Sequence, residues 1–396
     1  MDHKERLRLI YVLGFLTAIG PFSIDAYLPG FPDIAKDLHT DIEHVTLSLT
    51  SYFIGISFGQ LFYGPVLDRF GRKKPLIAGL FIYIASAVGC AFSPSIYSLI
   101  AFRFLLAIGG CVGMVASRAV VRDIFSPHET AKVFSMMMLV MGVAPIIAPV
   151  LGGFIVASAG WRFIFSLLLL VSISITFVIF RFLPESREPD PSVSFHPLSI
   201  ASAYFSLFKN RTFFTYAIAS GAASAALFSY ISDSSFVFIE LFGIPETWFG
   251  WIYALNAMAL ISASQFNRFW LSRNTSRQIT SVTLIIQFAA SLLLVLSVLL
   301  KMNYILILAL IFIYLFWLGF LNPNTTALAL EPFRMNAGTA SAMLGSLQML
   351  FGASASALVS LFHNGTPLPM AVFMMIFSAI GFAAIIYDRS FQKQLV

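Results

Sequence analysis

Charge is scarce in this chain. Asp, Glu, Lys and Arg together make up 11% of its 396 residues, where a soluble protein carries about 25%, so composition excludes a water-soluble globular fold. Cysteine is nearly absent. Cys90 and Cys111 both fall inside apolar runs and read as small hydrophobes, with no disulfide or metal framework. No G-x-x-x-x-G-K-[ST] stretch occurs, which argues against direct use of ATP by this chain. The histidines (His3, His39, His44, His128, His196 and His363) are scattered without H-E-x-x-H spacing. Ser/Gly pairs such as GSLQ at 345–348 lack a nucleophile elbow. No enzyme chemistry is sketched here, and no cofactor is called for.

What is abundant is apolar surface: 59% hydrophobic residues, 42 of them Phe, and a mean hydropathy of +0.88. The chain reads as an integral membrane protein with the lipid bilayer as its solvent. Its charged first ten residues lead into an apolar segment with no A-x-A-like cleavage site, which reads as an uncleaved first transmembrane helix. A helix needs roughly 20 apolar residues to cross the hydrocarbon core. Runs of that kind occupy 9–29, 45–66, 75–93, 97–120, 133–157 and 162–183. They resume at 211–236, 246–269, 279–300, 303–325, 338–362 and 366–387, giving an expected all-α polytopic protein of twelve spans in two pseudo-symmetric six-helix bundles. The polar stretch PESREPDPSVSFHPLSIASAYFSLFKN separates them. The expected division is therefore 1–183, a linker at 184–210 whose second half forms a short amphipathic helix, and 211–396.

The net charge of +6 and pI near 9.3 do not imply nucleic acid, because the basic residues sit in short loops between apolar runs. Their bias sets topology. With both termini and the linker in the cytoplasm, the inner segments collect Arg69, Arg72, Lys73, Lys74, Arg122 and Arg187 among others. The outer loops keep only Lys36, Arg162 and Lys301.

Three stretches carry chemistry. GPVLDRFGRKK at 64–74 follows the second run. Gly64 and Gly71 allow close approach and a tight turn; Asp68 stands where it meets the positive N-terminus of a neighbouring helix; Arg69 and Arg72 add charge. Arg72 is expected to pair with Asp123, and Asp68 with the start of the eleventh run at Gly338 and Thr339, together forming a cytoplasmic gate. GVAPIIAPVLGG at 142–153 places Pro145, Pro149, Gly152 and Gly153 in the fifth run, which they bend and pack tightly. The fourth run contains Arg103, and an arginine in an apolar helix needs a partner or water. The first run carries Asp25 in SIDAYLPGFP. At 1.5 Å per residue, Asp25 lies about 24 Å above the inner end of its run and Arg103 about 9 Å below the outer end of its own. In a core about 30 Å thick the two share one depth. Burial raises a carboxyl pKa and a nearby arginine lowers it, so Asp25 is placed to exchange a proton.

The 64–74 stretch resembles the loop signature G-x-x-x-D-R-x-G-R-[KR] of the major facilitator superfamily at every defined position. The fifth run is similar to the G-P-x-x-G-G element of its drug exporters, with Ala148 in place of the first Gly. Together with SIDAYLPGFP, RAVVRDIF and AGTASAM, these stretches resemble the bicyclomycin/chloramphenicol-resistance branch of drug:proton antiporters over nearly the whole chain. The resemblance implies a proton-coupled exporter of small amphiphilic compounds, a monomer in the bacterial inner membrane, driven by the proton gradient, with Asp25 and Arg103 coupling protons. A cavity between the halves would draw on Tyr27, Tyr52, Met114, Met138 and Met141 from the first half. From the second it would draw on Phe228, Tyr230, Asn256, Gln348 and Phe351. Met and aromatic side chains suit a broad substrate range. Asp233 and Glu240, near the outer end of the seventh run, read as solvated. The competing readings are an exporter dedicated to one endogenous metabolite and a non-transporting membrane sensor on the same scaffold.

Overall fold

The structure is a computed structural model that describes residues 3–125, 127–191, 197–333 and 337–392. Among these residues it is helical throughout, without a strand. The chain begins with α1 (His3–Asp25), a 3-10 turn (Leu28–Gly30) and α2 (Phe31–Asp37). Then come α3 (Ile42–Phe70), α4 (Lys73–Ala91), α5 (Ile96–Ile124), α6 (Pro127–Ala159) and α7 (Arg162–Phe182). The short α8 (Pro197–Leu207) leads into α9 (Arg211–Ser235), which continues as a π-helical segment, Phe236–Leu241. The last helices are α10 (Glu246–Trp270), α11 (Ser276–Leu299), α12 (Tyr304–Leu330), α13 (Ala337–Leu361) and α14 (Leu368–Gln392).

Eleven stretches among the described residues are long and apolar enough to cross a membrane. The long helix outside that set is α10, whose apolar run is diluted by Asn256, Gln265 and Asn267. With α10 included, the long helices follow the runs expected from the sequence. Local chemistry explains several starts. Ser95 and Ser98 cap each other's backbone at the head of α5, and Thr275 and Gln278 do so at α11, satisfying N–H groups that a helix leaves unpaired. Several prolines lie inside long helices without ending them: α3 runs through Pro65, α6 through Pro145 and Pro149, and α12 through Pro323.

The chain packs as two compact units, Met1–Ile200 with Glu246–Trp251, and Ala201–Pro245 with Ile252–Val396. Each repeats one packing scheme. In the first, α1 packs on α5, α6 and α7, and α4 on α5 and α7. In the second, α9 packs on α12, α13 and α14, and α11 on α12 and α14. The opening helix of each set is thus a centre. The stretch Arg211–Leu241 is 94% buried across its most apolar window, which its run of Ala, Ser and Gly permits because small side chains let backbones approach. By contrast, α7 is buried over only 28% of its window and turns Phe163, Leu170, Phe177 and Phe180 outward, as a lipid-facing helix does.

Candidate functional site

Two polar clusters stand out in the first unit. One surrounds the turn between α3 and α4. Gly71 ends α3 with φ of +82° and ψ of 177°, a backbone region essentially closed to residues with a Cβ. A Cβ there would also meet Glu185 Oε2 at 2.9 Å and the Arg187 carbonyl oxygen at 3.2 Å. The turn delivers Arg72, 3% exposed, between two carboxylates. Its Nε donates to Asp123 Oδ2 at 2.7 Å and its Nη1 to Asp68 Oδ1 at 2.7 Å. Burial opposes the Arg72 charge, yet the bonds to Asp123 and Asp68 outweigh it and hold the guanidinium pKa above its usual value.

The segment after α7 completes this cluster, a part that sequence reasoning missed. The Glu185 carboxylate accepts from the backbone N–H of Arg72 at 2.6 Å and from that of Lys73 at 3.2 Å. It therefore caps the N-terminus of α4, where unpaired donors and the helix dipole favour an anion. Ser186 Oγ donates to Asp123 Oδ2 at 3.1 Å, and Arg187 Nη1 lies 3.3 Å from Asp68 Oδ1. Arg69 places its guanidinium 5.9 Å from the Phe70 ring centroid, and Gly64 is half-buried in α3 beside Pro65. The surroundings of Gly338 lie outside the described residues.

The second cluster is built on Arg103 of α5, 0% exposed. Why it has an acceptor follows from the end of α1. Pro29 has no N–H to offer the Asp25 carbonyl, so the helix tightens there. The Tyr27 N–H turns back to the Ile24 carbonyl at 3.3 Å, and the Ser23 carbonyl is left outside that ladder. Arg103 Nη1 donates to it at 2.8 Å. The guanidinium lies between two rings, 4.3 Å from the Tyr27 centroid and 4.4 Å from that of Tyr52. Such contacts reach about 2 kcal/mol when desolvated. Its Nε and Nη2 have no hydrogen-bond partner.

Serine hydroxyls hold the tyrosines. Ser48 Oγ gives its proton to the Val45 carbonyl, so the Tyr27 hydroxyl donates to it at 2.8 Å. In the same way Ser23 donates to the Ile19 carbonyl and receives the Tyr83 hydroxyl at 2.6 Å. Asp25 closes α1, is 5% exposed, and lies within electrostatic reach of Tyr52.

The other expected site residues are spread over both units. In α6, a Cβ on Gly152 would collide with the Ala26 carbonyl, and one on Gly153 would meet the Glu246 carbonyl oxygen at 2.5 Å. Pro149 offers its carbonyl to the same turn of chain, 2.7 Å from a Cβ built on Gly250; Pro145 is half-buried one turn earlier. Met114 lies against Gly20 and Met141 is half-buried, while the Met138 side chain lies outside the described ones. In the second unit Asn256 Nδ2 donates to the Tyr230 hydroxyl at 2.9 Å, and Gln348 Nε2 to Ser220 Oγ at 2.7 Å. Phe228 packs on Gly352, and Phe351 on Gly221.

One expectation needs correcting. Asp233 is not solvated: it is 3% exposed, because α9 is a centre of its unit and the chain continues beyond it as a π-helical segment whose first three residues, Phe236, Val237 and Phe238, are buried. Glu240 is exposed, as expected.

The profile of the Major Facilitator Superfamily matches residues 13–357. The chain is 37% identical to the uncharacterized MFS-type transporter YdgK of Bacillus subtilis over 96% of its own length and 94% of that protein. It is 32% identical to a bicyclomycin resistance protein homolog of Haemophilus influenzae, covering 93% of each. A crystal structure of the peptide transporter POT in complex with sulfate superposes with a TM-score of 0.78 at 14% identity, covering 98% of this chain and 94% of that one, a likeness of fold. The matched proteins are transporters rather than enzymes. The twelve-helix pattern, the intact 64–74 loop and these relationships place the chain in the major facilitator superfamily of membrane transporters, in the branch that includes the bicyclomycin resistance homolog.

Proposed function

We propose that this protein exports small amphiphilic compounds across the bacterial inner membrane, drawing on the proton gradient by alternating access between two six-helix bundles, 1–183 and 211–396, joined by the segment 184–210. Asp25 carries the proton and Arg103 is its electrostatic counterpart. Arg72, Asp68 and Asp123, with Arg69 and the glycines of the loop, hold the cytoplasmic side, and both termini face the cytoplasm.

The observation that carries the reading is the state of Arg103. A guanidinium with no exposure, one carbonyl bond and two nitrogens, Nε and Nη2, without acceptors is costly to bury, and a carboxylate partner in another state of the protein would offset that cost there. The buried acid at the end of the helix it already touches is Asp25. A proton on Asp25 would release that partnership, and its loss would restore it. The Haemophilus relative's name, and that of multidrug resistance protein D of Escherichia coli, 27% identical over 88% of this chain, support drug export at the level of the family.

The test is efflux of ethidium and of bicyclomycin from proteoliposomes under an imposed pH gradient. Wild-type protein should move one or both uphill. Asp25→Asn, reaching the membrane in normal amount, should lose uphill movement entirely; full gradient-driven transport in that variant removes Asp25 from the mechanism.

A further inference from the structure

The second unit carries an acid in the place Asp25 has in the first. Both Asp25 and Asp233 sit on the opening, central helix of their unit, and regular α geometry stops at or just after each. α1 gives way to a 3-10 turn, and α9 to the π-helical segment that begins at Phe236, three residues beyond Asp233. Single π-helical stretches often mark functional sites. The partner differs. Where the first unit supplies a permanently charged arginine, the second supplies His363, just after α13. Its Nδ1 lies 3.6 Å from Asp233 Oδ1, with side chains 8% and 4% exposed respectively. The Phe236 ring stands edge-on to the imidazole at 4.3 Å, walling the pair from water.

We propose that Asp233 and His363 form a second protonation site of this transporter. His363 Nδ1 takes the proton, and the resulting N–H and positive charge face the Asp233 carboxylate. A buried carboxylate is costly alone, and an imidazolium beside it offsets that cost.

Among the described residues, the elements around the pair carry few charged groups. α13 and α12 have no charged side chain in their sequences, and α12 offers Tyr304 and Tyr314, the latter bonded to Ser378. On α14 the ionisable groups are Tyr387, Asp388 and Arg389, at the end opposite His363. Arg211 of α9 is held there too, with its guanidinium 4.4 Å from the Tyr387 ring centroid. Nearer the pair, Glu240 lies exposed in the π-helical segment and Lys301 exposed before α12. Tyr216 and Tyr230 complete the ionisable groups of α9. In the proposal the proton settles on His363, whose side-chain type has an ordinary pKa in the physiological range.

The protonation itself stands apart from the exporter reading; only its effect on transport rests on that reading. The experiment is a nuclear magnetic resonance titration of the purified full-length protein carrying ring-labelled histidine, with the His363 signal identified by its loss in His363→Gln. The imidazole should titrate between about pH 5 and 8. In Asp233→Asn its midpoint should fall by about one unit or more, as removal of an adjacent opposite charge requires. If Asp233→Asn does not fold, Asp233→Glu should still displace the midpoint. In proteoliposomes, His363→Gln should shift the pH profile of ethidium efflux while wild-type and variant amounts match. A His363 signal that does not titrate, or a midpoint indifferent to position 233, overturns the proposal. Coupled titration in a protein that moves no ethidium supports it and counts against the exporter reading instead.

Discussion

Arg72 donates through Nε to Asp123 at 2.7 Å across 51 residues of chain, tying the α3–α4 turn to the end of α5. The guanidinium is 4% exposed and Asp123 17%, so solvent does little to screen the pair. Arg72→Ala should cost about 3 kcal/mol of unfolding free energy, as removing one partner of a buried pair does. The Asp68 arm, 43% exposed on the acid side, adds little. Thermal unfolding in detergent measures this. The Arg72 pKa is raised on folding. Its contribution is therefore complete below the unfolded arginine value and fades only above it, so the loss in Arg72→Ala should be the same at pH 6 as at pH 9.

Glu185 tests the cap on α4. Glu185→Ala removes an acceptor from two backbone donors and an anion from a helix start. The expected loss is about 0.5–1 kcal/mol, and it should shrink in high salt because the site is exposed. A salt-independent loss would mean that the carboxylate acts otherwise.

Gly71→Ala separates backbone from side-chain effects. Its φ and ψ belong to a region that L residues populate at a cost of about 1–3 kcal/mol, and the new methyl would press on Glu185. Destabilisation should therefore reach the upper part of that range. Adding Glu185→Ala to Gly71→Ala should cost less than the two changes summed.

The tyrosines around Arg103 can be divided into ring and hydroxyl. Tyr52 reaches the Gly20 carbonyl at only 3.4 Å, a weak bond, whereas its ring lies on the guanidinium. Tyr52→Phe should leave stability within about 0.5 kcal/mol of wild type, and Tyr52→Leu should lose about 1–2 kcal/mol. Equal losses in thermal unfolding would assign the effect to the hydroxyl.

Much of this was legible in the sequence. Run lengths and the 64–74 signature announced the helices, the turn and the nearness of Arg72 to Asp123. That Arg103 takes the Ser23 carbonyl at the end of α1 was not legible, because it depends on how α5 packs on α1. Tyr27 and Tyr52 were visible as aromatic positions, but that they clasp Arg103 from two helices depends on packing that no local pattern carries. Glu185 was hidden for the same reason: it lies 113 residues from Arg72, in a stretch that composition describes only as linker. Asp233 was misread because an acid at the end of an apolar run normally faces water, and neither the π-helical segment nor the approach of His363 leaves a periodic trace.

The repeated packing of α1 and α9 at the heart of their units has an electrical corollary. The same architecture has been furnished twice with different ionic hardware, a guanidinium in one copy and an imidazole in the other. In the first copy the cation comes from α5 and grips the backbone of the opening helix, while in the second the proposed proton acceptor is itself the cation. In the proposed cycle each framework thus takes up a proton by its own means, the first on a carboxyl near a fixed cation and the second on a ring beside a carboxylate.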